Sequence, residues 1–241
     1  MKPSIKASSA AIPRASRARR TDERALPSES QLAPNRRHNI LRAAERLFAR
    51  QGFHGVSVRD IADEAGVPLA LVGYYFGPKL SLYHELFRER AGYIQERLAA
   101  LALAQQRAAP DQLLEEIIKA WVLPVFKVAA TADGRDFLLM LKRAMHEHIP
   151  EDESVVRDLF DPLAFAFIDA LQAALPQAPR TTVTWCYQFS LGALLHAATD
   201  SRVERLSLGE SSVADTEVSV PVLIRFITEG FRQTCGAPRS H

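Results

Sequence analysis

Cysteine is nearly absent from this chain of 241 residues, and glycine is scarce. The two cysteines, Cys186 and Cys235, are far apart and belong to no Cys-x-x-Cys or Cys/His cluster. This pattern offers no structural zinc site, and we expect neither a metal ion nor a cofactor. We interpret both residues as ordinary thiols of a reducing cytosol; a disulfide or a redox switch is the alternative.

Long apolar runs are also missing. No segment approaches the ~18 to 20 consecutive apolar residues that span a bilayer, and the N-terminus lacks the apolar core of a signal peptide. We therefore expect a soluble, cytoplasmic protein that has no membrane partner.

Signatures of catalysis are absent as well. The sequence contains no HExxH, GxSxG or GxGxxG motif and no Walker-type phosphate loop. Carboxylate pairs such as Glu115-Glu116 are typical of a solvated helix face. We predict that the chain is not an enzyme.

Helix-forming apolar residues and an uneven distribution of charge are what the chain does have. Hydrophobic residues make up 47% of the sequence, and the dominance of Leu and Ala predicts an all-α fold. Residues 1–90 contain 16 Lys and Arg against 9 Asp and Glu, whereas residues 91–241 contain 14 against 19. A basic N-terminal part suits a polyanionic partner.

Three regions are predicted along the chain. Residues 1–34 are rich in Ser, Ala, Pro and Arg without an apolar period, so we expect a disordered basic tail. Its arginines either track a phosphate backbone or minor groove, or serve only solubility. They are Arg14, Arg17, Arg19, Arg20 and Arg24. Residues 35–80 and 81–241 are the predicted N-terminal helix-turn-helix domain and the larger C-terminal helical domain.

The segment 40–77 has the pattern of a helix-turn-helix. Its first helix is predicted from apolar residues at helical spacing. They are Ile40, Leu41, Ala44, Leu47 and Phe48. Ser57 followed by Asp60 predicts a capping box at the start of a second helix, and Gly66 predicts the tight turn that ends it. A third short helix is predicted to begin at Pro68 and to end at Gly77.

The rest of the chain is predicted to be helical. Gly77-Pro78 opens a long helix of ~40 Å that links the two domains. Further helices are predicted near residues 111–130, 134–148, 153–175, 180–199 and 217–234. Pro124 and Pro162 lie inside two of these patterns and are expected to kink or split them. Residues 200–216 are polar and are predicted as a loop.

The stretch from Arg36 to Phe87 resembles the DNA-binding domain of the TetR family of bacterial regulators. The matching strings are Ile40-Leu41-x-Ala43-Ala44-x-x-Leu47-Phe48, Gly52-Phe53, Ser57-Val58-Arg59-Asp60-Ile61-Ala62, Ala65-Gly66-Val67 and Tyr74-Tyr75-Phe76-Gly77-Pro78-Lys79. The specificity of the resemblance comes from the ordered spacing of all these strings. The sequence departs from the family pattern at Pro68, Gly73 and Leu80, where a capping Ser, a Tyr or Asn, and a Glu are common.

The resemblance implies a DNA-binding role for eight residues. They are Ser57, Arg59, Leu69, Ala70, Gly73, Tyr74, Tyr75 and Lys79. Arg59 would read a base edge, because a guanidinium contacts guanine bidentately, whereas Leu69 and Ala70 can touch only thymine methyl groups. The two tyrosines and Lys79 would contact phosphates, and for Tyr75 a place in the core is the alternative.

For the C-terminal region, the resemblance implies a homodimer and a ligand pocket. The dimer would join through the helices near 180–199 and 217–234 and would bind a palindromic operator in double-stranded DNA, near the nucleoid. Ordinary core packing is the alternative reading for each candidate ligand-binding residue. These candidates are Trp121, Phe137, Leu141, Met145, Phe165 and Trp185.

The implied function is that of a DNA-binding transcriptional regulator. A small apolar or amphipathic effector would favour a conformer that releases the operator, which makes repression the expected mode. The alternative is a DNA-binding dimer whose C-terminal domain serves only dimerisation or partner recruitment, with no small-molecule ligand.

Overall fold

A computed structural model of the chain describes residues 29–146 and 153–236. Within these ranges the chain is a bundle of α-helices without a strand, which confirms the predicted all-α class. The helices are α1 Glu29–Gln51, α2 Val58–Ala65, α3 Leu69–Phe76, α4 Lys79–Glu89, α5 Ala91–Arg107, α6 Leu113–Ala129, α7 Ala132–Ala144, α8 Glu153–Ala174, α9 Arg180–Thr199, α10 Arg202–Leu206 and α11 Thr216–Cys235. None of these helices is long and apolar enough to cross a membrane.

The apolar face predicted for α1 is confirmed. Ile40 and Phe48 are fully buried, and Leu47 packs half-buried against the same core. Tyr83 of α4 meets the ring of Phe48 edge-on at 5.1 Å and that of Phe53 at 5.0 Å. Helices α1 and α4 and the loop before α2 therefore share one aromatic core.

The N-terminal boundary and the long linking helix differ from the prediction. Helix α1 begins at Glu29, inside the segment 1–34 that was expected to be disordered, while the predicted basic arginines lie outside the described residues. The long helix is interrupted at Arg90, whose backbone N–H bonds to the carbonyl of Phe87, three residues back. At this interruption the Arg90 side chain forms an ion pair with Glu45 of α1 at 2.8 Å. Such a long-range contact cannot be predicted from helical periodicity.

Two further features of the C-terminal region refine the prediction. Of the two outcomes expected at Pro124 and Pro162, a kink or a split, the split does not occur, because α6 and α8 each continue through their proline. Packing of α6 against α5, α8, α9 and α11 supports the helix around the missing N–H group. The predicted loop 200–216 contains the short helix α10, and Asp200 accepts a hydrogen bond of 2.9 Å from the backbone N–H of Arg202 at its start.

A charged cluster joins α1 to the C-terminal helices. Glu45, only 1% exposed, contacts Arg42 at 2.7 Å and Arg90 at 2.8 Å, and Arg42 reaches Asp133 of α7 at 3.0 Å. Burial raises the pKa of Glu45, and the hydrogen bonds from Arg90 oppose that rise. The ionised carboxylate is therefore costly unless the arginines stay in place.

Arg143 makes a second connection between α7 and α1. Its Nε and Nη2 donate hydrogen bonds of 2.8 Å each to the carbonyl oxygens of Ala49 and Arg50. Carbonyl groups in the last turn of a helix have no partner within the helix, and a cation there also faces the negative end of the helix dipole. Helix α7 thus holds the C-terminal end of α1 by side-chain hydrogen bonds.

The two cysteines lie in contact although 49 residues separate them. Their sulfur atoms are 3.8 Å apart in the reduced form, and both side chains are buried between α9 and α11. Burial and the neighbouring thiol raise the pKa of Cys235. A protonated, buried thiol is a poor nucleophile, which favours the prediction of ordinary thiols over that of a redox switch.

Candidate nucleic-acid interface and ligand cavity

The start of α2 is built by a capping box. The Ser57 hydroxyl accepts a hydrogen bond of 3.1 Å from the Asp60 N–H, and the Asp60 carboxylate accepts one of 2.8 Å from the Ser57 N–H. These bonds confirm the predicted cap and lower the pKa of Asp60. The N–H groups of Val58 and Arg59 lie in the same first turn and take no part in the box.

The turn between α2 and α3 is fixed by Gly66. Its backbone adopts the left-handed region at φ 65°, and the Val67 N–H returns to the Ala62 carbonyl at 3.0 Å, as predicted for the turn of a helix-turn-helix. Pro68 precedes α3 as its N-cap rather than occupying its first turn. Val72 and Phe76 anchor α3 in the core.

Six of the eight predicted DNA-contacting residues are exposed in the α2–α3 region. They are Ser57, Arg59, Leu69, Ala70, Gly73 and Tyr74. Tyr74 is 80% exposed, and its ring meets that of Tyr75 edge-on at 5.3 Å. Tyr75 is half-buried and packs against the core, so its position is intermediate between the two alternatives. No carboxylate lies within ion-pair distance of Arg59 among the residues that the structure describes.

Lys79 has a different environment from the predicted phosphate contact. Its ammonium donates hydrogen bonds of 2.9 Å to the carbonyl oxygens of both Phe53 and Val56, and it lies 4.2 Å from the centroid of the Phe53 ring. Partial burial lowers the pKa of Lys79. The side chain clamps the loop before α2 to the start of α4, an interaction across more than 20 residues that motif matching could not reveal.

We expect Lys79→Met to destabilise the protein by roughly 1 to 3 kcal/mol, because two loop carbonyl groups lose their donor. Urea unfolding of the full chain measures this change. Lys127→Met is the matched control: Lys127 is exposed and, within the described residues, its ion pair is with Glu96, so its loss should cost less than about 1 kcal/mol. Equal effects of the two substitutions would contradict the clamp.

A cavity of about 200 Å³, open to the surface near Met145, Arg157 and Gln188, lies between α5, α6, α7, α8 and α9. Aliphatic side chains from these helices line it, among them Val125, Leu163 and Leu195. Tyr93, Tyr187 and the buried Arg97 add polar groups to the same wall. Larger grooves of about 430 and 420 Å³ lie among mostly exposed or half-buried side chains on the surface.

The six predicted ligand-binding residues divide into three groups. Leu141 and Met145 line the cavity. Trp121 and Phe137 are fully buried but are not among its lining residues, which agrees with the core-packing alternative. The prediction is wrong for the exposed Phe165 and Trp185, because an aromatic residue at helical spacing does not reveal which helix face turns inward. Sequence reasoning missed Arg97, whose signal was a charge between Ile94 and Leu101 on an apolar face.

Large apolar side chains are exposed on α9 and α11. Trp185 and Phe189 are 62% and 69% exposed and stack with ring centroids 5.5 Å apart. On α11, Val218, Val222 and Phe226 follow one another at a spacing of four residues and are also exposed. By contrast, Leu194 and Leu195 of α9 and Phe231 of α11 are buried in the chain's own core.

The helix-turn-helix with its exposed reading surface, carried on a larger helical domain, defines a class of DNA-binding transcriptional regulators. A family model described as bacterial regulatory proteins, tetR family, matches residues 40–86, and one described as tetracyclin repressor-like, C-terminal domain, matches residues 119–230. The chain belongs to the TetR family of transcriptional regulators.

Individual relatives agree with this assignment. The HTH-type transcriptional regulator BetI of Brucella anthropi is 31% identical over 132 residues, which are 49% of this chain and 67% of that protein. The TetR family regulator PfmR of Thermus thermophilus has a similar fold, with a TM-score of 0.55 at 19% identity over 85% of this chain and 98% of PfmR. The regulator FadR of Bacillus subtilis, solved in complex with stearoyl-CoA, has a TM-score of 0.50 at 18% identity over 80% and 98% of the two chains.

Proposed function

We propose that this DNA-binding regulator is a homodimeric repressor that a small amphipathic effector releases from a palindromic operator. The observation that carries the proposal is the double role of α7. Its residues Asp133 and Arg143 bind α1, and its residue Leu141, with Met145 just beyond its end, lines the cavity. A ligand in the cavity therefore acts on the same helix that supports the DNA-binding head.

At the DNA, Arg59 reads a base edge in the major groove, and the surface of α3 follows the groove walls. Arg59 is exposed, and its charge is not neutralised by a neighbouring carboxylate in the described chain. The N–H groups of Val58 and Arg59 and the hydroxyl of Tyr74 are available to phosphates. Leu69, Ala70 and Gly73 offer no hydrogen-bonding side chain, so operator specificity depends on Arg59 and on DNA shape.

The dimer forms through the exposed faces of α9 and α11. An isolated subunit leaves Trp185, Phe189 and Phe226 in water, and contiguous exposure of this kind is typical of an interface. A two-fold axis between two such faces presents two reading surfaces in opposite orientation. The operator is then a palindrome with two half-sites.

The effector enters the cavity and favours a conformer of the dimer. In that conformer the distance between the two helix-turn-helix domains no longer matches the spacing of the half-sites. Operator affinity falls by the difference between the effector's binding free energies in the two conformers. The mostly apolar cavity with its few polar groups favours this proposal over a C-terminal domain that serves only dimerisation.

Enrichment of random DNA fragments by the full-length protein, followed by sequencing, tests the operator. We expect a palindromic sequence to be enriched. The operator Kd is then measured with and without fractions of a small-molecule extract, and at least one fraction should weaken binding about tenfold or more. Constant affinity in every fraction would contradict the proposed effector, and enrichment without a palindrome would contradict the symmetric operator.

Arg59→Ala is expected to weaken specific binding by about 1 to 3 kcal/mol, with the loss concentrated at one base pair of each half-site. Competition mobility shifts against single-base operator variants measure it. Arg107→Ala is the matched control. It removes an arginine charge from the last turn of α5, outside the helix-turn-helix, and should leave operator affinity nearly unchanged. Loss spread evenly over all operator variants would assign Arg59 to a phosphate instead of a base.

A further inference from the structure

Arg97 is a buried cation in the cavity wall. Its side chain is only 5% exposed and lies on α5 between the core residues Ile94 and Leu101. No carboxylate of the described chain lies within ion-pair distance of its guanidinium. Buried charges in proteins are normally paired, so the unpaired state of Arg97 indicates a missing partner.

The donors of Arg97 are mostly unused. Nη2 reaches the carbonyl oxygen of Trp121 over a long 3.4 Å, and the buried Nε has no hydrogen-bond partner. A guanidinium carries five N–H donors. The rings of Tyr93 and Phe167 lie 5.3 and 5.5 Å from the guanidinium carbon and hold it in position without neutralising its charge.

Two phenol groups accompany Arg97 in the cavity. Burial raises the pKa of Tyr93, and it raises the pKa of Tyr187 to about 12. Both hydroxyl groups are therefore neutral at physiological pH and can donate to an anion. Arg157 and Asp161 also line the cavity from α8, and Arg157 contacts Asp158 at 3.4 Å. Arg97 is the buried charge of the lining, and no ion pair of the described chain neutralises it.

We propose that the cavity binds a small monocarboxylate whose apolar body is about the size of one aromatic ring. The carboxylate accepts N–H bonds from Arg97 and an O–H bond from Tyr187, and the aliphatic wall covers the apolar body. The volume of about 200 Å³ modestly exceeds the ~150 Å³ at which an apolar protein cavity accepts benzene. This inference rests on the proposed function and names the chemical class of its effector.

The test compares each acid with an amide and an amine of similar shape but different charge. Benzoate, phenylacetate and hexanoate are titrated calorimetrically into the full-length protein, each beside its primary amide and the corresponding amine. We expect at least one acid to bind about tenfold or more tightly than its amide, and its amine to bind more weakly still. Failure of every acid to bind, or tighter binding of the amides or amines, would overturn the inference.

Variants separate recognition of charge from support of the fold. Arg97→Met should weaken binding of the acid about 10- to 100-fold while changing that of the amide less than about threefold. Arg157→Met, an equal change of charge elsewhere in the lining, should weaken the acid less than about threefold. A purely structural role of Arg97 predicts equal losses for acid and amide and would contradict the proposal. If Arg97→Met does not fold, Tyr187→Phe tests the same site, with an expected loss of several-fold for the acid alone.

Operator release distinguishes this inference from the proposed function. Acids that bind through Arg97 without weakening operator binding support the site and contradict the regulatory role. Amides or amines that release the operator, while acids do not bind, support the regulatory role and contradict the carboxylate.

Discussion

Phe226→Glu is expected to convert the proposed homodimer to a monomer and to lower operator affinity by about two orders of magnitude or more. The substitution sets a carboxylate at one end of the exposed apolar row Val218, Val222 and Phe226 of α11, and burial of that charge in the proposed interface is costly. A monomer binds one half-site and loses the effective concentration that joins the second half-site to the first, which is worth about 10²- to 10⁴-fold. Light scattering during gel filtration gives the mass, and mobility shifts give the affinity.

Leu103→Glu is the matched control for this experiment. Leu103 is an exposed leucine on α5, outside the faces of α9 and α11, so the same charge should leave both mass and affinity unchanged. A Phe226→Glu protein that remained a dimer would refute the proposed interface. A monomer with undiminished operator affinity would refute the requirement for two half-sites.

Arg90→Met is expected to destabilise the protein by roughly 3 kcal/mol at pH 7.5, because Glu45 loses one of its two arginine partners in a buried site. The value lies at the low end for a broken buried pair, since Arg42 still contacts Glu45. Methionine keeps apolar bulk over the Phe137 ring, where the Arg90 guanidinium lies 4.9 Å from the centroid. Urea unfolding measures the loss.

The cost of Arg90→Met should depend on pH in a definite direction. Burial already raises the pKa of Glu45 in the folded protein, and removal of Arg90 raises it further. The folded variant then binds a proton more tightly than the unfolded chain, so its stability falls as the pH rises above the ordinary glutamate range of ~4.3. The deficit relative to the unsubstituted protein should therefore be smaller at pH 5 than at pH 7.5.

Two comparisons make this expectation specific. Glu45→Gln in the Arg90→Met background removes the buried carboxylate that has lost its Arg90 partner. It should recover part of the free energy of unfolding and abolish the pH dependence of the stability deficit. Arg37→Met breaks a partly buried pair with Glu85 and an exposed pair with Glu89 and should cost about 1 kcal/mol or less at either pH. A pH-independent deficit in the single Arg90→Met variant would contradict the role assigned to Glu45.

These residues also bear on how the effector signal reaches the DNA. Arg90 and Asp133 join the head to the C-terminal helices around Glu45, and Arg143 holds the end of α1. We expect variants of this junction to change the effector's influence on operator binding more than they change the effector's own affinity in the isolated protein, because none of these three side chains lines the cavity.

The sequence by itself determined the helix-turn-helix and most of the helices. Ser57, Asp60 and Gly66 act through hydrogen bonds and backbone conformations that span at most five residues, and the apolar face of α1 repeats every turn. Interactions of such short range are encoded in spacing, which is why the cap, the turn and the buried face of α1 could be predicted. The prolines in α6 and α8 did not split their helices, because packing against neighbouring helices outweighs a local preference.

Only the tertiary structure decided which side chains work together. Lys79 clamps a loop, a contact that the predicted phosphate role did not include, and Phe165 and Trp185 lie on the surface rather than in the predicted ligand pocket. The cavity wall around Arg97 and the pairing of Arg90 with Glu45 became recognisable only in three dimensions. The long-range contacts of these residues and of Lys79 and Arg143 join positions 23 to 94 apart, from Lys79 with Val56 to Arg143 with Ala49. Their geometry depends on how whole helices pack, and periodicity within one helix contains no information about its neighbour.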